Sequence, residues 1–389
     1  MAFMPHVRTG AERLAVDTAL AGGTRLGLIT NPTGVLPDLT PTADALLAAG
    51  VNLTALFGPE HGMRGTAQAD GSEADTVDER TGLPVFNTHK LEGRELDRTI
   101  AGSGVDTLVF DIADVGTRFY TYVWTMYDLL ASAARLGLRF VVLDRPNPLG
   151  GTVQEGPLLD PAFASFVGRF PLPVRHGRTA GELATLFGFD VDLRVVEMEG
   201  WRREMTFAET GLPWVMPSVN MPTPDTALVY PGTGLFEGTN FSEGRGTTRP
   251  FELVGAPYAD ARFAPALAAL DLPGVRFRET WFTPTFHKHA GVAVRGVQLH
   301  VHDREAFRPV LTGLSMLHVA RTLYPDDLRW WGPDLFMDHL WGSDSLTRCL
   351  DAGEDPRGLC PPPGRPEGRL IYGDRVERHT AGSRNSAYE

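Results

Sequence analysis

The chain has 389 residues, 42% of them apolar, and a formal net charge of −12. That length and apolar content can bury a large core and suggest two or three domains rather than a disordered protein. An acidic chain without a Lys/Arg run is a poor nucleic-acid binder, because phosphate recognition needs a concentrated basic face.

Met1 to Arg8 contains no apolar leader core, and nowhere do 18 consecutive apolar residues occur. The sequence as given therefore reads as cytoplasmic with no membrane insertion, or as secreted or periplasmic if it is a processed form. Residues 1–24 read as an N-terminal extension. Residues 26–30 predict a strand that ends in the turn Asn31-Pro32-Thr33-Gly34, and 42–49 a helix closed by Gly50. The apolar run 51–57 is a second strand, stopping at Gly58-Pro59-Glu60-His61-Gly62. A short strand over 84–87, a helix over 92–101, a strand over 107–111, a helical segment over 120–136 and a strand over 139–144 follow. The last of these is halted by Arg145-Pro146-Asn147-Pro148, and a helix over 179–187 and a strand over 193–197 extend the pattern.

Near-continuous apolar strands separated by helices predict an α/β, Rossmann-like, mostly parallel sheet with helices on both faces, spanning residues 25–230. The Pro/Gly-rich region 213–257 breaks the alternation, with 227–230 strand-like. Beyond it, 275–282 and 292–302 alternate like antiparallel strands and 307–323 reads as a helix, so 231–389 is expected to be a smaller α+β C-terminal domain. Cys349 and Cys360 are too few for a disulfide framework and read as free thiols rather than one bridge. Pro361-Pro362-Pro363 to Pro366 reads as a linker to a packed tail.

In a parallel sheet the polar turns after the strands converge on one rim, the edge where open α/β sheets bind ligands. Glu60, partly desolvated beside turn backbone, suits general acid/base work; the alternative is a cap or a pair with Arg64. His61 orients Glu60, binds substrate, or is structural. Asp111 and Asp114 bracket a strand end, where they can supply a second carboxylate, grip sugar hydroxyls, or cap a helix. Arg118, Tyr120, Tyr122 and Trp124 come next, and the alternation of the three aromatics suits a platform under a sugar ring as well as plain core. Arg145 and Asn147, between two prolines, are free to face a ligand, with Arg145 offering a donor fork for a carboxylate unless it pairs with Asp144 or Glu155. A second polar cluster, 217–223 and 236–247, carries Asn220, Glu237, Asn240, Glu243 and Arg245 and calls for a ligand or an elaborate turn. Gly232 to Gly238 approximates a dinucleotide loop but has one residue too many. With no Walker loop, zincin pair, zinc-ligand spacing or Gly-x-Ser-x-Gly elbow, acid–base chemistry by carboxylates remains.

Taken together, Ile29-Thr30-Asn31-Pro32-Thr33-Gly34, Phe57-Gly58-Pro59-Glu60-His61-Gly62, the run from Phe110 to Tyr122, Leu143-Asp144-Arg145-Pro146-Asn147-Pro148, Pro217-Ser218-Val219-Asn220-Met221-Pro222 and the run from Glu237 to Thr247 resemble the NamZ-type exo-β-N-acetylmuramidases. The resemblance implies an exo-acting glycosidase that frees N-acetylmuramic acid from non-reducing ends of peptidoglycan fragments, without a cofactor. Its partner would be a carbohydrate, a muropeptide or a glycan ending in N-acetylmuramic acid, held in a cleft between the two domains. Glu60 is then the general acid, with Asp114 and Asp111 ranked above Glu237 and Glu243 for the second role, or with assistance from the substrate's own N-acetyl group. Arg118, Arg145 and Arg245 are the candidate readers of the lactyl carboxylate. Asn31, His61, Tyr120, Tyr122, Asn147, Asn220 and Asn240 complete the expected contacts. Two other classes stay open: a non-catalytic amino-sugar-binding protein, and a metal-dependent hydrolase using Glu60, His61, Asp111 and Asp114.

Overall fold

The computed structural model describes residues 6–373. Gly10–Val16 (α1) precedes Leu26–Thr30 (β1), and Thr42–Ala48 (α2) leads to Leu53–Gly58 (β2). Thr76–Val77 (β3) and Pro84–Asn87 (β4) come before Gly93–Ser103 (α3), Thr107–Asp111 (β5), Tyr122–Leu136 (α4) and Arg139–Leu143 (β6). A hairpin of Glu155–Leu158 (β7) and Pro173–Arg175 (β8) follows, then Ala180–Phe187 (α5) and Asp192–Val196 (β9).

Seven of these strands form one sheet in the order β3-β4-β2-β1-β5-β6-β9, parallel throughout except for β3. The six parallel strands have the 3-2-1-4-5-6 order of a doubly wound sheet, whose switch point lies between β1 and β5. Both of those strands are buried at every position, as strands covered on two faces must be. The segment before β1 packs on the sheet, with Ala11 and Leu14 of α1 buried against Val141, Leu143 and Val196.

The C-terminal part contains Pro224–Thr233 (α6), Leu253–Ala256 (β10), Phe263–Ala268 (α7), Val275–Phe282 (β11), Val294–Val301 (β12), Pro309–Leu323 (α8), Phe336–Trp341 (α9) and Ser345–Asp351 (α10). Its three strands make an antiparallel sheet, β10-β12-β11. Residues 227–230, expected as a strand, are helical instead. Thr223 caps α6 by accepting from Thr226 N, and Gly232 meets Pro309 and Gly313 of α8 with no room for a Cβ. The glycine run after residue 232 thus serves helix packing, and the likeness to a nucleotide loop is accidental.

The chain then returns to the N-terminal half. Gly364 pairs with Gln154 through main chain, and the Tyr372 hydroxyl donates to Asp144 Oδ2 at 2.8 Å. The remainder of the expected packed tail lies outside the described residues. Cys349 and Cys360 are free thiols. Among the described residues no helix is long and apolar enough to cross a membrane.

Arg118 joins the two halves. Its side chain is fully buried; Nη1 donates to Pro157 O at 2.8 Å and Leu172 O at 2.6 Å, and Nη2 to Leu340 O at 3.1 Å and Trp341 O at 2.6 Å. Burial lowers its ionisation to about 9, so it stays cationic at neutral pH, compensated by carbonyl dipoles. Replacing it by Met leaves four buried acceptors without a donor. Each stranded group costs about 1–3 kcal/mol, so Arg118→Met is expected to lower stability by at least about 3 kcal/mol in urea unfolding, and Arg118→Lys to recover only part of that.

Candidate active site

After β2 the chain turns sharply at Pro59, and His61 (φ 69°) and Gly62 (φ 83°) are both left-handed. A side chain at Gly62 would strike Glu73, whose carboxylate ties the same turn by accepting from Arg64 N at 3.1 Å and Thr66 N at 3.2 Å. This turn presents Glu60 to a cleft of about 470 Å³ between the two halves. Glu60 is buried, and each oxygen has one neutral donor: Asp70 N to Oε1 at 2.7 Å, and the Thr121 hydroxyl to Oε2 at 2.5 Å. Arg64 pairs with Asp78 at 3.6 Å rather than with Glu60. His61 Nδ1 lies 2.8 Å from Ala67 O, and because a carbonyl only accepts, Nδ1 carries the hydrogen and Nε2 is the open nitrogen.

Tyr120, Tyr122, Tyr230 and Asn220 line the same cleft. The Tyr122 hydroxyl donates to Pro217 O at 2.5 Å, whereas the Tyr120 hydroxyl and Asn220 Nδ2 are buried without a hydrogen-bond partner among the described residues. Burial pushes the ionisation of Tyr120 far above its ordinary value, which leaves it a neutral donor. Two unanswered donors in one cavity call for a ligand rich in oxygen acceptors. Trp124 does not extend an aromatic platform. It lies on α4, where residues two apart point in different directions, and it is buried with Nε1 donating to Arg118 O at 2.7 Å.

The opposite wall carries Glu237 and Arg245. Arg245 Nη2 donates to Glu237 Oε2 at 2.8 Å and its Nε lies 3.2 Å from Glu243 Oε1, while Nη1 makes no hydrogen bond among the described residues. Beneath them Lys288 Nζ donates to Glu243 Oε2 at 2.8 Å, Phe236 O at 2.9 Å and Phe241 O at 3.1 Å. Burial alone would raise the Glu243 carboxyl, but Lys288, His287 and Arg245 outweigh it and hold Glu243 well below the usual carboxylate range.

Several residues expected at the site do not reach this cleft. Asp111 and Arg145 hold each other in a bidentate pair at 2.6 and 2.9 Å, so neither is free for substrate. Asp114 Oδ2 accepts from Gly116 N at 2.8 Å and pairs with His176 Nε2 at 3.0 Å, and it faces a separate cavity of about 40 Å³. Arg118 is consumed by carbonyls. Asn31 accepts from Thr33 N at 2.9 Å and donates to Pro217 O at 3.3 Å, and Asn147 donates to Arg178 O at 2.9 Å. Asn240 is held between Asp327 O at 2.9 Å and Arg329 N at 2.9 Å, and Glu243 lies under Arg245 rather than at the surface of the cleft. Asp111 and Arg145 are lost to the cleft because the strand ends at the switch point bind one another, and Arg118, Asn240 and Glu243 because packing partners elsewhere already hold them. Glu60, His61, Asp111 and Asp114 therefore do not converge, and among the described residues no group of three or more His, Cys, Asp or Glu side chains is placed to hold a metal.

Sequence reading missed Lys90, Phe166, Tyr230, His287, Trp331 and Phe336, all of which line the cleft. The adjacent Trp330-Trp331-Gly332-Pro333, two large aromatics in a turn, was the available signal.

Residues 26–225 match the family model described as the N-terminal part of exo-beta-N-acetylmuramidase NamZ, and residues 228–360 match its C-terminal part. Over 356 residues the chain is 48% identical to the peptidoglycan beta-N-acetylmuramidase NamZ of Bacillus subtilis strain 168, covering 90% of this chain and 85% of that protein. Two crystal structures of DUF1343 family proteins from Bacteroides fragilis are similar in fold. One has a TM-score of 0.82 at 35% identity over 92% of this chain and 95% of that one. The other has a TM-score of 0.71 at 29% identity, covering 90% and 91%.

Glu243→Gln removes the buried anion that compensates Lys288 and Arg245. A loss of about 3 kcal/mol is expected in urea unfolding at pH 7, the scale of stranding a buried charge. The folded-state ionisation of Glu243 lies below its ordinary value of 4.5, so its stabilisation is complete above that pH and fades as pH falls through the lower, folded-state value. The wild-type and variant stabilities are expected to converge on acidification.

Proposed function

We propose, from the premise that this chain belongs to the NamZ family of exo-β-N-acetylmuramidases, that it removes N-acetylmuramic acid from the non-reducing ends of peptidoglycan fragments with Glu60 as general acid and base. The observation that carries this reading is the buried Glu60 carboxyl, held by neutral donors on the wall of a cleft that also offers Arg245 and two unpartnered donors.

The two partners of Glu60 differ in kind. The Asp70 N–H can only donate, so Oε1 remains an acceptor and the transferable proton rides on Oε2. The Thr121 hydroxyl, next to Oε2, can turn from donor to acceptor as Glu60 changes state. Glu60 passes that proton to the glycosidic oxygen as the bond to C1 breaks, and then, as a carboxylate, takes a proton from the water that attacks C1. Glu237 is the second carboxylate of the cleft, in place of Asp114 and Asp111. Its charge, steadied by Arg245, faces the positive charge that develops on the sugar ring.

Muramic acid differs from glucosamine by its lactyl carboxylate. The open Nη1 of Arg245 takes that group, and the amide of Asn220 and the hydroxyl of Tyr120 take sugar oxygens or the acetamido carbonyl. The ion pairs of Arg245 with Glu237 and Glu243, seated on Lys288, hold this wall of the cleft in place around the terminal sugar.

Glu60→Gln is expected to keep the wild-type melting curve and lower kcat on a chromogenic β-N-acetylmuramide by about a hundredfold or more, the scale of losing an acid catalyst. Near-full activity would sink the role of Glu60, and binding without turnover in the wild type would favour a sugar-binding protein. The corresponding β-N-acetylglucosaminide should yield no product. Arg245→Lys keeps the charge but loses the fork, and should raise KM for the muramide roughly tenfold with kcat little changed.

A further inference from the structure

Aromatic side chains stand at the mouth of the cleft where folding gives no account of them. Phe166 is 39% and Trp331 50% exposed, yet both line the cavity that Glu60 lines. Phe166 comes from the loop between β7 and β8 and Phe336 opens α9, so the two belong to different halves of the chain. Their rings stack with centroids 6.2 Å apart and planes 14° from parallel.

A small side cavity places Phe166 relative to the proton donor. Glu60, Lys90, Thr121 and Phe166 line both this cavity and the main cleft. Tyr230, Glu237 and Arg245 line the main cleft but not the side cavity; the Tyr230 hydroxyl donates to Glu237 Oε1 at 3.4 Å, and Glu237 holds Arg245. Glu60 thus stands where the two cavities meet, with Arg245, Glu237 and Tyr230 in the main cleft alone and Lys90 and Phe166 shared with the side cavity.

We propose that Phe166, backed by Phe336, is the platform of a leaving-group subsite that stacks on the pyranose ring next to the muramyl residue. The inference rests on the reading of Glu60 as the proton donor. A donor must touch the glycosidic oxygen, so the two sugars joined by that oxygen lie on either side of it. With the muramyl carboxylate at Arg245, the departing sugar lies at Phe166. One face of a pyranose is a sheet of C–H bonds, which packs on an aromatic ring while the hydroxyls stay in water. A ring exposed on one face and backed on the other, as Phe166 is by Phe336, is built for that contact.

The test compares kcat/KM on two β-muramides that differ only in the aglycone: the disaccharide with N-acetylglucosamine, and the methyl glycoside, which has no second ring. The wild type should prefer the disaccharide. Phe166→Ala should cut that preference about tenfold, the scale of losing one stacked contact, and Phe166→Tyr should keep it. A preference unchanged in Phe166→Ala, or lost equally in Phe166→Tyr, overturns the subsite while leaving Glu60 untouched. A wild-type chain that frees muramic acid from neither substrate overturns the Glu60 reading and the subsite with it.

Discussion

A guanidinium bonded to no carboxylate holds the cleft together. Arg118 sits between β5 and α4, and its four acceptors are main-chain carbonyls, two from the β7–β8 hairpin region and two from α9. A single carboxylate would have tied Arg118 to one half; four carbonyls spread the compensation over both. The chain leaves Arg118 directly into Phe119, Tyr120, Thr121 and Tyr122, all of which line the cleft. Thr121 in turn holds Glu60. A cation outside the cleft thereby sets the position of the carboxyl inside it.

The carboxylates at the site live in two electrostatic regimes. Glu243 and Glu237 are locked into ion pairs with Lys288 and Arg245, which fixes the shape of one wall. Glu60 has only a main-chain N–H and a hydroxyl, partners that tolerate either protonation state. Tyr122 and Asn31 both bond to Pro217 O, so the segment bearing Asn220 is tied to the loop after β1 and to the start of α4.

Much of the sheet was legible because its strands are apolar runs punctuated by Gly and Pro, and Glu60 was legible because it ends one of them. The same rule pointed to Asp111, Asp114, Arg145 and Asn147, which are strand-end residues too but sit where neighbouring loops bind one another. Residue type and chain position do not reveal whether a side chain's donors and acceptors are already taken. The helical state of 227–230 depends on Gly232 meeting Gly313, a contact between distant residues that overrides the β preference of Val229 and Tyr230. Phe166, Lys288 and Phe336 enter the site one at a time from loops and a helix start, with no period or motif to mark them, and only Trp331 stands in a stretch whose composition signals it.

Arg118 also imposes an order in time. On a growing chain it emerges long before Leu340 and Trp341, so for on the order of ten to thirty seconds of synthesis its charge has only the hairpin carbonyls for company. All seven strands of the large sheet precede residue 200, but in that interval Arg118 still lacks two of the four carbonyls that hold it beside the loop that seats Glu60. The nascent chain is expected to gain its catalytic geometry only when its last third leaves the ribosome, and to be catalytically silent until then.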